Sequence, residues 1–379
     1  MKKRADKIKT ILWITLFSAL LFLFIQANYK IIKESELKGA IHKPEKPKLT
    51  IKKWFSGEFQ KNQEAYLNET FGFRNSFIRI NNQIAFSFFN KALANGIIIG
   101  KENYLYEKAY IDAFYGNDFV GIDSIQKRME KLQFIQDTLQ KLNKTFVLIF
   151  AAGKGSFYPE YIPDKYKSEK KRTNYETYLE FAKKLNIAHI DFNKYFLEQK
   201  DKSEYPLYPQ YGIHWSYYGA CLVADSILKY IERERQIDLA SFYWDSVEIA
   251  QPKNTDYDIA DGMNILFKLK SFEMAYPKIC FESDSNKSKV SSLVISDSFY
   301  WDIFGSNLFY KSFSKNDFWY FNRHAYFADT NTDMEVEKLD LKDEIEKHDV
   351  IIIMATEATS PDLGWGFIEN LYDLFKNTK

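Results

Sequence analysis

The alternation of buried strand patterns with amphipathic helix patterns constrains the fold of this chain more than any other feature. Thr145–Phe150 has the sequence TFVLIF, a run of β-branched and aromatic residues of the kind that a parallel sheet buries on both faces. Further short strands are predicted at Ala188–Phe192, Ser292–Ser296 and Val350–Met354, and helices near residues 170–185, 216–233 and 364–376. This order predicts a three-layer α/β domain with a mostly parallel sheet covered on both faces.

An apolar segment near the start of the chain predicts export. Ile11–Ile25 contains only two mildly polar residues, and residues 1–10 carry five basic side chains against one acidic side chain. The length suits either a membrane span or a signal peptide, but the end of the run lacks the small residues of a cleavage site. Because a basic flank stays in the cytoplasm, residues 1–29 are predicted to be an uncleaved signal anchor, with a cleaved signal as the alternative.

Composition and pattern divide the rest of the 379 residues into three parts. Residues 30–50 are polar and contain two prolines, which is typical of a linker, and residues 51–95 carry apolar groups at the spacing of a helical lead-in. Residues 96–379 form the predicted α/β domain. The hydrophobic share of 46% and the charged share of 27% exclude a disordered or polytopic membrane protein, and a net charge of +1 gives no basic face for nucleic acid.

A serine and a histidine lie where such a sheet is expected to bind ligands, beyond the carboxyl ends of its strands. Ser298 follows the strand Ser292–Ser296 in a turn, where a nucleophile needs a base within hydrogen-bond reach. His214 directly precedes a predicted helix. Asp258 and Asp261 are interpreted as caps of a turn or helix.

The cysteine and histidine pattern indicates neither a metal site nor a cofactor. The two cysteines, Cys221 and Cys280, are too few for a disulfide framework, and no clustered spacing of histidine and cysteine is present. The remaining histidines, His42, His189, His324 and His348, are interpreted as structural.

The order of several short motifs resembles the SGNH-hydrolase-like family of the alginate O-acetylation type (AlgJ/AlgX-like), which is related to the DHHW group. The segment His214-Trp-Ser precedes a strand ending in Asp297-Ser298-Phe299 by some eighty residues. Further motifs follow in the family's order at Gly100–Tyr106 (GKENYLY), Ala152–Pro163 (AGKGSFYPEYIP) and Asp258–Leu266 (DIADGMNIL). The resemblance spans roughly residues 70–379 and implies an SGNH-hydrolase-like three-layer domain.

The resemblance also implies the chemistry. The family uses a serine nucleophile, a histidine base and an aspartate two residues before the histidine, and here Ser298 and His214 match the first two. The aspartate position is Gly212. Either another carboxylate or a carbonyl orients the imidazole, with Glu357 after the last strand as the candidate, or a Ser-His dyad without an orienting group supports a slow reaction. Lys154, Asp297 and Arg323 are assigned to substrate binding.

The function implied is an exported, membrane-anchored enzyme that transfers acetyl to hydroxyl groups of a surface or secreted polysaccharide. The acetyl donor would be a polytopic membrane acyltransferase, and the main domain would lie on the periplasmic or extracytoplasmic side of the inner membrane. Two alternatives stay open at this point. One is a carbohydrate acetyl-esterase that uses water as acceptor, and the other is a catalytically silent polysaccharide-binding or assembly subunit, which the glycine at Gly212 favours.

Overall fold

The structure is a computed structural model, and it describes residues 2–39, 44–283 and 285–377. His42 lies outside the described residues. The chain divides into two compact units, Met1–Asn95 with Ala260–Leu269, and Gly96–Ile259 with Lys270–Lys379.

The first unit is built from helices. They are α1 (Lys2–Tyr29), α2 (Ile51–Phe55), α3 (Glu58–Thr70) and α4 (Arg74–Phe89). Residues 6–29 of α1 include an 18-residue window with a mean hydropathy of 2.2 and are long and apolar enough to cross a membrane, although a signal sequence has the same character. Within this unit, Asn82 donates through Nδ2 to the carbonyl of Met263 over 2.8 Å, which ties residues 260–269 to α4.

The second unit contains the mixed sheet that carries the candidate site. Its seven strands lie in the order β10-β9-β8-β7-β11-β3-β4. Their bounds are β3 (Thr145–Ala151), β4 (His189–Asp191), β7 (Val290–Ser296), β8 (Phe313–Tyr320), β9 (His324–Phe327), β10 (Thr332–Glu335) and β11 (Val350–Thr356). Two antiparallel pairs stand apart from this sheet, β1 (Ile97–Ile99) with β2 (Leu105–Glu107), and β5 (Phe242–Ala250) with β6 (Met274–Phe281).

The predicted parallel neighbours are confirmed. Strand β11 pairs in parallel with β3 on one side and with β7 on the other, so Ile352 lies beside both Val147 and Val294. All three strands are buried along almost their whole length, as their continuous apolar sequences require. The antiparallel strands β9 and β10, which make the sheet mixed, are not part of the sequence prediction. They are short, and β10 is exposed throughout, so neither has a buried apolar run.

Helices complete the second unit. They are α5 (Lys108–Tyr115), α6 (Ile122–Lys141), α7 (Lys154–Phe157), α8 (Asn174–Lys184), α9 (Phe192–Gln199), α10 (Tyr217–Arg235), α12 (Trp301–Phe304), α13 (Leu341–Lys347) and α14 (Phe367–Asn377). The short helix α11 (Asp258–Gly262) begins in the second unit and ends in the first. Helices α6, α8 and α14 pack their apolar residues onto one face of the sheet. Helix α10 contacts β3, and its buried stripe runs from Ala220 to Ile231. The chain therefore has the predicted α/β architecture, with chemistry expected at the carboxyl ends of β3, β7 and β11.

Candidate active site

Ser298 begins a short turn directly after β7, and the residue before it holds that turn in place. The Oδ1 atom of Asp297 accepts from the backbone N–H of Phe299 over 3.1 Å, and Oδ2 accepts from the backbone N–H of Thr356 over 2.9 Å. The hydroxyls of Thr356 and Thr359 donate to the same Oδ2 atom. The side chain of Asp297 is fully buried, and both of its carboxylate oxygens accept hydrogen bonds. The assignment of Asp297 to substrate binding is therefore corrected, because its carboxylate joins the ends of β7 and β11.

The structure brings His214 to Ser298. The Nε2 atom of His214 lies 2.9 Å from the Ser298 hydroxyl oxygen, although the two residues are far apart in the sequence. The imidazole also packs against the ring of Phe299, with 4.7 Å between ring centroids. Behind it, Ser216 caps α10 by accepting from the Gly219 backbone N–H, which fixes where the loop carrying His214 ends.

The carboxylate behind the imidazole belongs to Asp258. Its Oδ2 atom lies 2.6 Å from Nδ1 of His214, and its Oδ1 atom accepts from the backbone N–H groups of Ile213 and Ile259. Asp258 thus begins α11, as a capping residue does, and also contacts the histidine. The interpretation of this residue as a cap alone is incomplete, and the candidate orienter Glu357 does not contact the His214 ring nitrogen that Asp258 occupies.

The backbone around Gly212 leaves no room for an aspartate side chain at this position. A Cβ atom added at Gly212 would lie 2.2 Å from the Thr255 carbonyl oxygen and 2.9 Å from the Asp256 carbonyl carbon, far inside van der Waals contact. The backbone leading to Asp258 therefore runs against the position where an aspartate side chain would begin. Glycine at 212 therefore leaves room for the segment that carries Asp258.

Acidic side chains near His214 raise its pKa. Burial alone would lower the pKa of His214, but the charge and hydrogen bond of Asp258, with the charges of Asp302 and Asp297, raise this pKa to about 9. Glu107, the last residue of β2, feels the charges of both Asp258 and His214, and burial raises its pKa. No motif pointed to Asp302 or Glu107, since neither lies in a recognisable pattern of residues.

Lys154 is completely buried beneath the histidine loop. Its Nζ atom donates to the backbone carbonyls of Gln210, over 2.9 Å, and Gly212, over 2.5 Å. Burial lowers the pKa of Lys154 to about 7, while the charge of Asp258 acts in the opposite direction. The assignment of Lys154 to substrate binding is corrected, because the ammonium group holds the segment before His214 and has no exposed surface.

Glu357 occupies a separate buried position after β11. Its Oε1 atom accepts from the Ser156 hydroxyl over 2.7 Å, and burial raises its pKa to about 7 although the Ser156 bond lowers it. A Cβ atom at Gly153 would lie 2.2 Å from Glu357 Oε2, so this glycine makes room for the carboxylate. Glu357 therefore packs β11 against α7 instead of orienting His214.

The other residues singled out in the sequence have separate surroundings. Arg323 is exposed in the turn between β8 and β9. His189 contacts the Ile187 carbonyl, and His324 pairs with Asp333. His348 is buried between the Glu344 carbonyl and the Asp317 carboxylate, and the side chains of these three residues are close enough together to hold a metal ion. Cys221 and Cys280 are both free.

Comparison with known families agrees with the motifs. Residues 97–253 match the model of the SGNH hydrolase-like domain of the AlgX acetyltransferase family. The resemblance inferred from the sequence is thereby confirmed for this segment, and so is the SGNH-like α/β fold. The matched segment includes Lys154, Gly212 and His214, and it ends before Asp258. The sequence has no significant match among curated protein sequences.

Several solved structures are similar to this chain at low sequence identity. The O-acetyltransferase domain of Pseudomonas putida AlgJ is 12% identical, with a TM-score of 0.49, over 74% of this chain and 99% of that one. Bacillus cereus PatB1 with a sulfonyl adduct is 12% identical, with a TM-score of 0.47, over 72% and 99% of the two chains. Pseudomonas aeruginosa AlgX is 12% identical, with a TM-score of 0.39, over 69% and 55%.

Proposed function

We propose that this protein is an O-acetyltransferase that uses Ser298 as nucleophile, His214 as base and Asp258 as the group that orients the base. The observation that carries the proposal is the continuous chain of hydrogen bonds from Asp258 through His214 to Ser298, over 2.6 Å and 2.9 Å. Nucleophile, base and orienter in this relation are the arrangement by which a neutral serine is activated for acyl transfer.

The proposed reaction has two halves. In the first, Ser298 Oγ attacks the carbonyl carbon of an acetyl ester and its proton passes to His214 Nε2, which then protonates the leaving alkoxide as the ester bond breaks. In the second, a hydroxyl of the acceptor gives its proton to His214 and attacks the acetyl-serine carbonyl. The imidazolium then protonates Ser298 Oγ as the acetyl-serine bond breaks, which restores both residues. The carboxylate of Asp258 accepts from Nδ1–H and stabilises the imidazolium formed in each half.

The acceptor we propose is a hydroxyl of a cell-surface or secreted polysaccharide, in keeping with the acetyltransferase family that residues 97–253 match. The donor would be a polytopic membrane acyltransferase, because an exported domain has no access to cytoplasmic acetyl donors. In this proposal the apolar helix of residues 6–29 holds the domain at the inner membrane on the extracytoplasmic side.

The test is acetylation of Ser298 by a small activated ester, p-nitrophenyl acetate, followed by mass spectrometry of the intact protein and its peptides. We expect an acetyl group on Ser298 in the parent protein and none in Ser298→Ala. We expect His214→Ala to slow acetylation by roughly 10²–10⁴-fold, the usual cost of losing a general base. The matched control is His189→Ala, which removes a partly buried histidine whose ring contacts the Ile187 carbonyl and the Phe150 ring.

The two alternatives give different results in the same assay. Release of acetate from acetyl-Ser298 at an unchanged rate when saccharides are added would identify a carbohydrate esterase. Absence of acetyl on Ser298 in the parent protein, together with binding of an acetylatable polysaccharide, would identify a binding subunit and contradict the proposed enzyme.

A further inference from the structure

A cleft of ≈ 480 Å³ lies among the segments that carry the three proposed catalytic residues. Tyr217 follows His214 by three positions, Trp301 follows Ser298 by three, and Thr255 precedes Asp258 by three. The cleft is also lined by Lys253, Tyr276 and Asp302. One depression therefore borders all three segments.

One of the residues that line the cleft, Asp302, has a carboxylate oxygen without a hydrogen-bond partner among the described residues. Asp302 is 7% exposed, and its Oδ1 atom accepts from the Thr255 hydroxyl over 2.6 Å. Its Oδ2 atom is buried and has no hydrogen-bond partner in the described part of the chain. A buried acceptor without a donor is costly, so an O–H group supplied by a ligand would gain a charge-assisted hydrogen bond there.

The walls of the cleft are aromatic. The rings of Tyr217 and Tyr276 stack with 6.2 Å between centroids and 24° between planes, and Trp301 packs edge-on against Phe318. Tyr276 is held by its hydroxyl, which accepts from the Lys253 backbone N–H over 2.7 Å. Tyr217, Tyr276 and Trp301 are each partly exposed, and the Nζ atom of Lys253 lies 4.8 Å from the centroid of the Tyr276 ring. A sugar that packs its C–H face on Tyr276 would take the place of this ammonium group.

The charges around the cleft select against an acidic ligand. Asp302 and the buried Asp256 repel one another, and this repulsion adds to burial in raising the pKa of Asp256. Lys253 at the rim forms an ion pair with Glu248, so its charge is already compensated. The carboxylate of a uronate would therefore be repelled by these acidic groups, and Lys253 is already paired. An uncharged sugar would experience no such repulsion.

We propose that this cleft is a binding subsite for one uncharged pyranose unit of the acceptor polysaccharide, stacked on Tyr276 and hydrogen-bonded through a hydroxyl to Asp302 Oδ2. Bound in this way, the chain presents a neighbouring unit to acetyl-Ser298. The inference rests on the proposed function for its role in transfer, and it extends that function by naming the class of acceptor.

The experiment measures binding and transfer separately. Hexameric cello-, malto- and chito-oligosaccharides are the uncharged probes, and a hexameric oligogalacturonate is the acidic one. Calorimetry gives the dissociation constant of each for the parent protein, Tyr276→Ala and Asp302→Asn. Transfer is the yield of acetylated oligosaccharide after p-nitrophenyl acetate is added, divided by the rate of Ser298 acetylation. The matched control is Tyr243→Ala, an aromatic residue on β5 that is 51% exposed.

We expect at least one uncharged hexamer to bind more tightly than the oligogalacturonate. Both cleft variants should weaken that binding and lower the transfer ratio by roughly 10-fold or more, as the loss of a charge-assisted hydrogen bond or a stacking face predicts. Tyr243→Ala should match the parent protein. Two variants are used because Asp302 is buried and Tyr276 is not, so a folding defect in the first leaves the second informative.

Three results would overturn the inference: no uncharged hexamer binds at millimolar concentration, both variants bind as the parent does, or the oligogalacturonate binds most tightly. These results are distinct from failure of the proposed function. If Ser298 is never acetylated, calorimetry still decides whether the cleft binds an uncharged sugar.

Discussion

At His214, burial and charge act in opposite directions. Burial disfavours the imidazolium, and the carboxylate of Asp258, 2.6 Å away, favours it strongly enough that the pKa rises to about 9. A base must be neutral to accept the Ser298 proton. We therefore expect acetylation of Ser298 by p-nitrophenyl acetate to rise about tenfold per pH unit below pH 9 and to level off above it, because the neutral fraction of His214 rises in that way.

The variant Asp258→Asn separates the two effects of the carboxylate. Loss of its charge lowers the pKa of His214, so the rising limb moves to lower pH, although Asp297 and Asp302 still raise that pKa. The plateau rate should fall by about 10²–10⁴-fold, because an amide neither holds the required tautomer nor stabilises the imidazolium. Asp261→Asn, at an exposed position nearby, is the control. A profile identical to that of the parent would contradict the role proposed for Asp258.

Gly212 provides a second prediction at the residue scale. Restoring the family's carboxylate with Gly212→Asp would drive a Cβ atom to 2.2 Å from the Thr255 carbonyl oxygen, so the backbone before Asp258 must move. We expect slower acetylation, and a loss of about 1–3 kcal/mol in the free energy of unfolding measured by denaturant titration. The control is Gly262→Ala, where an added Cβ meets nothing within 4 Å. Faster acetylation by Gly212→Asp would show that the two carboxylate positions are compatible.

At the scale of elements, Lys154 joins the start of α7 to the loop that carries His214. Its ammonium group donates to the Gln210 and Gly212 carbonyls, and a neutral amine above pH 7 still has enough N–H groups for both bonds. Lys154→Met keeps much of the volume and removes the donors. Two buried carbonyls then lose partners, at about 1–3 kcal/mol for each unsatisfied group.

We expect Lys154→Met to unfold at lower denaturant concentration and to acetylate Ser298 more slowly at every pH, since the loop before His214 is no longer held. The exposed Lys127→Met on α6 is the control. Thermal unfolding and the acetylation rate are measured on the same samples. Unchanged stability and rate would mean that Gln210 and Gly212 find other donors, and the positioning role would be wrong.

The same elements show what the sequence could predict. The core strands β3, β7 and β11 were predictable because a strand buried on both faces has a continuous apolar sequence. The exposed strand β10 has no such signature. Ser298 and His214 follow local motifs, whereas Asp258 reaches His214 across 44 positions, a contact that only the folded chain creates. The family pattern predicts an aspartate at position 212, but the Thr255 carbonyl lies so close to this position that only glycine fits.

At the scale of the whole molecule, the apolar character of α1 is the feature from which we predict the location of the domain. An 18-residue window within residues 6–29 has a mean hydropathy of 2.2, and large apolar side chains such as Phe17 and Leu20 are more than half exposed in the described chain. Exposure of such a large apolar surface to water is unfavourable, so we expect a membrane to cover it. The basic residues before it favour retention of the N-terminus in the cytoplasm.

The last prediction is that the full-length protein stays in the membrane fraction with its main domain outside the cytoplasm. A C-terminal epitope should be removed by protease added to intact spheroplasts, and carbonate washing should leave the protein in the membranes. Phe17→Arg with Leu20→Arg should release it or block its export, because each arginine at the centre of a span costs about 2.5–3.5 kcal/mol. Leu142→Arg, an exposed apolar position 52% accessible at the end of α6, should change neither result. A soluble mature protein whose N-terminus lies near Asn28 would refute the anchor, and protection of the epitope from protease would refute export.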